Sequence, residues 1–140
     1  MRSYSVAVSS LAIDAPLKWL DNLLSHYPVP DVGAERRGVA RRIPHSALLL
    51  LALTRELHVE LGLGVRDAIG LAADLLGANG GIVSRGGHVR VTCDRPALER
   101  RVSERLHDAL ESAPSPRRGR PSRHSQSASA PHERSQPVLD

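Results

Sequence analysis

The stretch SALLLLALTRELHVEL, residues 46–61, is strongly apolar and contains neither proline nor glycine. A helix with leucine on most of its sides has no face suited to solvent, so the stretch predicts a central, mostly buried helix. Gly62 and Gly64 follow directly and are expected to end it. The expected buried positions are Leu48, Leu49, Leu51, Ala52, Leu57 and Leu61.

Two shorter helices are predicted before this stretch, over residues 4–13 and residues 16–26. Asp14 is a good N-cap for the second helix, and Pro16 suits its first turn. The two helices are about three residues apart, which is the spacing of a helix-turn-helix. The expected buried positions are Val8, Leu11 and Ala12 in the first helix and Leu17, Leu20, Leu23 and Leu24 in the second.

A basic segment, RRGVARRIP at residues 36–44, connects these helices to the apolar stretch. Its first three residues are typical of a turn. The alternating residues that follow, up to the proline, suit a short extended hairpin. Four arginines lie in this segment: Arg36, Arg37, Arg41 and Arg42.

Three further elements are predicted after the apolar stretch: a helix over residues 65–76, a hairpin over residues 82–93, and a helix from Pro96 to residue 113. The hairpin is expected to have a two-residue glycine turn, with Arg85 opposite His88. The expected inward positions are Ile69, Ala72, Ala73 and Leu76 in the first helix, Ile82, Val89, Val91 and Cys93 in the hairpin, and Leu98, Val102, Leu106, Ala109 and Leu110 in the last helix.

The composition of the 140-residue chain changes near residue 113. Residues 1–77 and residues 78–113 contain the predicted elements, and the second of these segments is a possible dimerisation element. Residues 114–140 are rich in proline, serine and arginine. They contain too few apolar residues to offset their chain entropy, so we expect a disordered basic tail.

Several classes of function are disfavoured by what the sequence lacks. A single cysteine, Cys93, excludes an internal disulfide framework and a zinc site built from cysteines. The seven histidines have no metal-ligand spacing, and no nucleophile elbow, phosphate-binding loop or dinucleotide motif is present. We therefore expect no enzyme activity, no cofactor and no metal. No apolar run reaches membrane-spanning length and no signal-peptide pattern is found, so a cytoplasmic location with no membrane partner is expected.

The order helix, turn, helix, basic hairpin, buried helix and second helix resembles the winged helix-turn-helix of MerR-type transcription regulators. The segment PLKWLD, residues 16–21, is similar to the recognition helix of that family, with Lys18 at the DNA-contacting basic position and Trp19 at the aromatic one. The segment GVARRIPHSAL, residues 38–48, is similar to the wing and the start of the next helix. The resemblance covers residues 4–76. The long dimerisation helix and effector site of the family have no counterpart here, so metal or drug sensing is not expected.

The resemblance implies a mainly α fold with a little β structure: a winged helix-turn-helix over residues 1–77, followed by a β-hairpin and a C-terminal amphipathic helix. The recognition helix, at about residues 16–26, would enter the major groove, and a basic wing, residues 36–42, would contact phosphates. In the tail, the sequence RGRP resembles an AT-hook that enters the minor groove of A·T-rich DNA. The candidate DNA-binding residues are Lys18, Trp19, Asn22, Ser25, His26, Arg36, Arg37, Arg41, Arg42, Arg118, Gly119 and Arg120.

The leading hypothesis is a sequence-specific DNA-binding protein, a small bacterial transcription regulator that acts on double-stranded DNA as a homodimer. The alternative for the same residues is that the arginines form a solvated loop and that the polar face of the helix is solvent-exposed surface without a binding role. A second function class is a protein-interaction module, or an antitoxin-like protein that binds a protein partner. It would use the leucine-rich helix and the C-terminal hairpin and helix.

Overall fold

The computed structural model of the protein describes residues 2–33 and 37–112. This part of the chain is mainly helical and has two small antiparallel sheets of two strands each. A short 3-10 turn over Asn79–Gly81 precedes the second sheet. The elements in chain order are β1 (Ser3–Ser5), α1 (Val6–Ala12), α2 (Leu17–His26), β2 (Arg42–Pro44), α3 (His45–Leu61), α4 (Val65–Gly77), β3 (Ile82–Arg85), β4 (Val89–Thr92) and α5 (Arg95–Ser112).

Helix α3 is the centre of the core, as the leucine-rich stretch predicts. Every residue from 47 to 54 is buried, so this half of the helix is covered on all sides. The hydroxyl of Thr54 donates to the carbonyl of Leu50 at 2.7 Å, which satisfies the polar group inside the core. Gly62 ends the helix in the left-handed conformation, at φ 69°. Leu61, which was expected to be buried, is 59% exposed because it lies in the last turn, beyond the reach of the packed elements.

The N-terminal helix pair forms, but it starts with a strand. Residues 3–5 are extended, so the predicted helix over residues 4–13 is wrong at its first two residues, and α1 begins at Val6. The side chain of Ser5 explains the boundary, because its Oγ accepts from the backbone N–H of Val8 at 3.2 Å and caps the helix. Asp14, which was predicted as the N-cap of the second helix, instead takes a left-handed conformation at φ 56° and turns the chain from α1 into α2, whose N-cap is Pro16.

The predicted apolar stripes of α1 and α2 are right at their centres and wrong at their edges. Leu20 and Leu23 are buried in α2, and Val8 and Ala12 are buried in α1. Leu11 and Leu17 are instead about half exposed, and Leu24 is only partly buried. Both exposed leucines lie near the turn between the two helices.

Strand β2 pairs with the N-terminal strand and not within a local hairpin. The register places Ser3 opposite Pro44, Tyr4 opposite Ile43 and Ser5 opposite Arg42. The prediction of a hairpin within residues 36–43 is therefore wrong for residues 42 and 43, which pair with β1 instead. The physical reason is burial: pairing with β1 places Ile43 and Pro44 in the interior, where Ile43 has no exposed surface.

Helix α4 packs along α3, with an inward stripe different from the predicted one. Only Ala72 among the predicted core positions is buried. Ile69 and Leu76 are partly buried, and Ala73 is exposed. The helix is thus rotated relative to the expectation, and small side chains lie against α3, which allows the two helices to approach closely. The buried residues are Ala68, Leu71, Ala72 and Leu75.

The β3–β4 hairpin forms in a register one residue away from the predicted one. Arg85 pairs with Val89, not with His88, so the turn has three residues. Gly86 and Gly87 both have positive φ, at 61° and 79°, and accommodate this longer turn. The one-residue shift reverses the faces of β3, so that Val83 and not Ile82 lies on the inner side with Val91 and Cys93.

Helix α5 returns across the molecule and packs against α1 and α3. The Oδ1 atom of Asp94 accepts from the N–H of Ala97 at 3.1 Å and caps the start of the helix. Arg101 pairs with Glu56 on α3 at 2.6 Å, and Arg105 pairs with Asp14 in the α1–α2 turn at 3.2 Å. Of the predicted inward residues, only Leu110 is exposed; the buried ones are Leu98, Val102, Leu106 and Ala109.

Gly81 is the position where we expect a single methyl group to disturb the fold most directly. It has φ 65°, and a Cβ atom there would lie 2.6 Å from the carbonyl oxygen of Cys93. Both features oppose any side chain, so Gly81→Ala is expected to lower the free energy of unfolding by about 2 kcal/mol. Urea denaturation measures the change.

The control is Gly77→Ala, which adds the same methyl group in open space at the end of α4. Because alanine favours helix, this variant is expected to be as stable as the parent protein or up to about 1 kcal/mol more stable. Equal stabilities of the Gly81 variant and the parent would contradict the described approach of Gly81 to β4.

Candidate nucleic-acid interface

Helix α2 presents a polar face to solvent. Lys18, Asn22, Ser25 and His26 are all exposed, and their spacing places them on one side of the helix. Asp21 is exposed on the same side and is the one acidic residue within α2. The four predicted polar contact residues therefore lie together on one face. The carboxylate of Asp21 lies among them and was not predicted as a contact.

Two side chains on this face are fixed by bonds to their own helix. The hydroxyl of Ser25 donates to the carbonyl of Asp21 at 2.9 Å, and Nδ1 of His26 lies 2.8 Å from the carbonyl of Asn22. A carbonyl only accepts, so Nδ1 of His26 carries the hydrogen of that bond, and Nε2 of the neutral ring is left as an acceptor. Ser25 also keeps its oxygen lone pairs. The exposed edge of α2 thus offers acceptors at its C-terminal end and donors at Lys18 and Asn22.

Trp19 lies away from this face and holds α2 against α3. The guanidinium carbon of Arg55 lies 4.9 Å from the centre of the indole, and the ring of His58 lies 5.9 Å away at an angle of 31°. Nδ1 of His58 is in turn 2.6 Å from the carbonyl of Leu63, beyond the end of α3. The structure therefore places Trp19 in a stack between helices, partly buried, whereas the sequence predicted it among the DNA-contacting residues.

Arg55 and His58 were not predicted as functional residues, yet they position α2. The sequence does not predict this role, because polar residues at the partly exposed positions of a leucine-rich helix indicate only contact with solvent. A cation over an indole face contributes about 0.5–1 kcal/mol at exposed sites and more when water is excluded. The stack is thus a modest but directional link between α2 and the core.

The arginines of the basic segment occupy different environments. Arg37 is exposed. Arg42 is also exposed, and it donates to the carbonyl of Ser3 at 2.7 Å and to the hydroxyl of Ser3 at 3.4 Å. Arg41 is partly buried, with Nε and Nη1 shielded from solvent. Arg37 and Arg42 are thus better placed than Arg41 to contact a phosphate.

The remaining predicted residues are not placed by the structure. Arg36 lies outside the described residues, as do Arg118, Gly119 and Arg120 of the AT-hook-like sequence. The minor-groove role of that sequence remains a prediction. So does the predicted disorder of the tail.

A cleft of about 380 Å³ separates the C-terminal half of α3 from the β4–α5 junction. Cys93 lies in its wall, near Glu56 and Asp94. Burial, and then the negative charges of these two carboxylates, raise the pKa of the Cys93 thiol above its ordinary value, and Arg95 opposes this in part. A thiol with a raised pKa is a weak nucleophile near neutral pH. The site geometry therefore favours a structural role for Cys93.

The described residues contain no cluster of three or more potential metal ligands. None of the helices in residues 2–33 and 37–112 combines the length and apolar character needed to span a bilayer. Comparisons with protein-family models, with curated proteins and with solved structures gave no match. The function of the chain must therefore be inferred from its own residues.

The rate at which the Cys93 thiol reacts at pH 8 tests the surroundings of this side chain. Because the pKa is raised, less thiolate is present at pH 8 than in a free cysteine, and we expect Ellman's reagent to react more slowly with the folded protein than with the protein in urea. Cys93 is the only cysteine in the chain, so the readout belongs to it alone. Glu56→Gln removes one negative charge and releases Arg101, so the folded variant is expected to react faster. A folded parent protein that reacts as fast as the unfolded chain would contradict the raised pKa.

Proposed function

We propose that the protein binds double-stranded DNA, with α2 in the major groove and the basic segment on the phosphate backbone. The observation that carries the proposal is the polar face of α2, where four side chains able to bond base edges are exposed together on the second helix of a tightly turned pair. The major groove is about 12 Å wide and admits a helix of this kind.

The side chains on α2 suit base readout. Lys18 can donate to the O6 and N7 acceptors of guanine, and the amide of Asn22 can bond adenine in two places. His26 offers Nε2 as an acceptor when its ring is neutral, because Nδ1 bonds within the helix. Asp21 can accept from the amino group of cytosine, but its charge opposes the approach of phosphates. Specificity would therefore come from α2, and affinity from cations elsewhere.

The basic segment supplies those cations. Arg42 is held by Ser3 of β1, so its guanidinium loses less conformational entropy on binding than a free side chain would. Arg37 is exposed before β2, on the chain that connects α2 to the sheet. Both side chains can neutralise phosphates without reading sequence, which is the role that the resemblance assigns to a wing.

The resemblance to MerR-type regulators extends the proposal to a biological role. On this proposal residues 1–77 form a winged helix-turn-helix, and the protein is a bacterial, cytoplasmic transcription regulator. A homodimer would place two copies of α2 about one helical turn of DNA apart, about 34 Å. Apolar side chains that remain exposed on the hairpin, including Ile82 and Val89, are candidates for the surface between the copies.

The alternative of a protein-interaction module is less well supported in one respect. It required the leucine-rich helix as a docking surface, but the leucines of α3 from residue 48 to residue 53 are buried in the core of the protein itself. Of the surfaces in this alternative, the hairpin and the outer face of α5 remain accessible, as do Val59 and Leu61 at the end of α3. Stoichiometric binding of a protein partner without any retention on DNA would favour this alternative.

The salt dependence of binding tests the roles of the basic segment and α2 separately. We expect Arg37→Gln to weaken binding to a mixed-sequence duplex and to lower the slope of log K against log salt by about 0.9, because one phosphate contact is lost. Asn22→Ala should leave the slope unchanged but should reduce affinity for a duplex selected from a random pool by about 1–3 kcal/mol. Fluorescence anisotropy at several salt concentrations measures both.

The matched control is Arg66→Gln, which removes the same charge from an exposed position on α4. It should leave both the affinity and the slope close to those of the parent protein. If Arg37→Gln and Arg66→Gln have equal effects, the attraction is a property of overall charge, and the proposed placement of the segment on phosphates is wrong.

Asp21 gives a prediction of the opposite sign. Asp21→Asn keeps the shape of the side chain and leaves intact the bond from Ser25, which goes to the backbone carbonyl. With the repulsion removed, affinity for a mixed-sequence duplex at low salt is expected to rise about two- to five-fold. Asp67→Asn, at an exposed position on α4, is the control and should change affinity less. Unchanged binding by the Asp21 variant would place α2 away from the DNA.

A further inference from the structure

A groove of about 520 Å³ lies where the N-terminal strand, the start of α3 and the C-terminal half of α5 meet. Its volume is within the range of sites that bind small organic molecules. Tyr4 of β1 and His45 of α3 form one side, and Leu106, His107 and Leu110 of α5 form the other. Arg2 and Ser103 complete the lining, which contains no carboxylate.

The polar groups of the groove are cationic or neutral. Arg2 is exposed and carries a permanent charge, and the ring of His45, which is partly buried, can offer an N–H donor. His107 pairs with Glu111 through Nε2 at 3.2 Å, so that part of its bonding capacity is already used. The hydroxyls of Tyr4 and Ser103 add neutral donors. The arrangement favours a negative group near Arg2 and His45.

The other part of the lining is apolar and open to solvent. Leu106 is buried at the base of the groove, and Leu110 is 53% exposed at its edge. Covering Leu110 with an apolar group would remove this surface from water, which is favourable. The groove thus combines an apolar wall on α5 with the Arg2 cation, which directly precedes β1, and with His45 at the start of α3.

We propose that this groove binds a small anionic amphiphile, a carboxylate or sulfonate attached to an apolar ring or short chain. The anionic group would pair with Arg2 and His45, and the apolar part would cover Leu106 and Leu110. Charge complementarity selects the anion, since Arg2 carries a positive charge and no carboxylate lines the groove, the nearby Glu111 being paired with His107. The site is independent of DNA binding and stands whether or not the protein is a regulator.

The test uses the full chain and two dyes of nearly the same apolar shape. Anilinonaphthalene sulfonate carries a negative charge, and N-phenylnaphthylamine is neutral; fluorescence titration gives the Kd of each. We expect the anionic dye to bind at least about five-fold more tightly than the neutral one. Arg2→Gln should raise the Kd of the anionic dye by about five-fold, the scale of one exposed charge contact. It should leave the Kd of the neutral dye within about two-fold of the parent value.

Two further variants keep the result interpretable. Ser103→Glu places a carboxylate in the groove from an exposed position on α5. It should also weaken binding of the anionic dye more than binding of the neutral dye. Arg66→Gln removes a charge from α4, outside the groove, and should have no effect on either dye. Circular dichroism checks that the variants fold.

Three outcomes would overturn the proposal. The first is equal binding of the two dyes. The second is an unchanged Kd of the anionic dye for both groove variants, which would show that the dye binds outside the groove. The third is a change in the sedimentation coefficient of Ser103→Glu without any dye, which would show that the groove is covered by a second copy of the chain.

Discussion

Burial of the first half of α3 on all sides is the constraint on which the arrangement of the other elements depends. Residues 47–54 have no exposed face, so the remaining elements must surround this helix. Helix α4 packs along it after a tight glycine turn, and α5 packs across it from the C-terminal side. Strand β2 enters it directly, because Pro44 is the last residue of β2 and His45 is the first residue of α3.

The proposed DNA-binding elements are attached to this core at two places. Helix α2 is held by the stack of Trp19 on Arg55 and His58, in addition to its buried leucines. The basic segment is held at its end by β2, whose pairing with β1 buries Ile43 and fixes Arg42 against Ser3. Neither element is rigid by itself, because one helix of ten residues and one strand of three residues are marginal in isolation. Their preorganisation for a ligand therefore comes from α3 and β1.

Much of the fold could be predicted from the sequence, because its strongest signals are local. The apolar run from Leu48 to Leu57 could form only a buried helix, and Gly62 marked the end of that helix at the position where the structure has it. The errors concern partners distant in sequence. Strand β1 is three residues long, and nothing within Ser3–Ser5 indicates that its partner lies 39 residues away.

The same limit applies to registers and faces. The hairpin over residues 82–93 had an apolar face in either register, and packing selected the one that turns Val83 inward. In the candidate interface, the exposed face of α2 could be predicted because amphipathic spacing is a local property. The position of Trp19 could not, since its contacts are with Arg55 and His58 on another helix. Sequence alone likewise gave no means of separating Arg41, which is partly buried, from Arg42, which is exposed.

The central claim is that one surface, formed by α2 and residues 37–42, meets DNA while α3 holds it in place. The most direct measurement is NMR of the uniformly labelled full-length protein during titration with a mixed-sequence duplex at low salt. We predict the largest shift changes at Lys18, Asn22, Ser25, Arg37 and Arg42, and only small changes in the β3–β4 hairpin and α4. Shift changes concentrated on the hairpin or α4, with α2 unaffected, would contradict it.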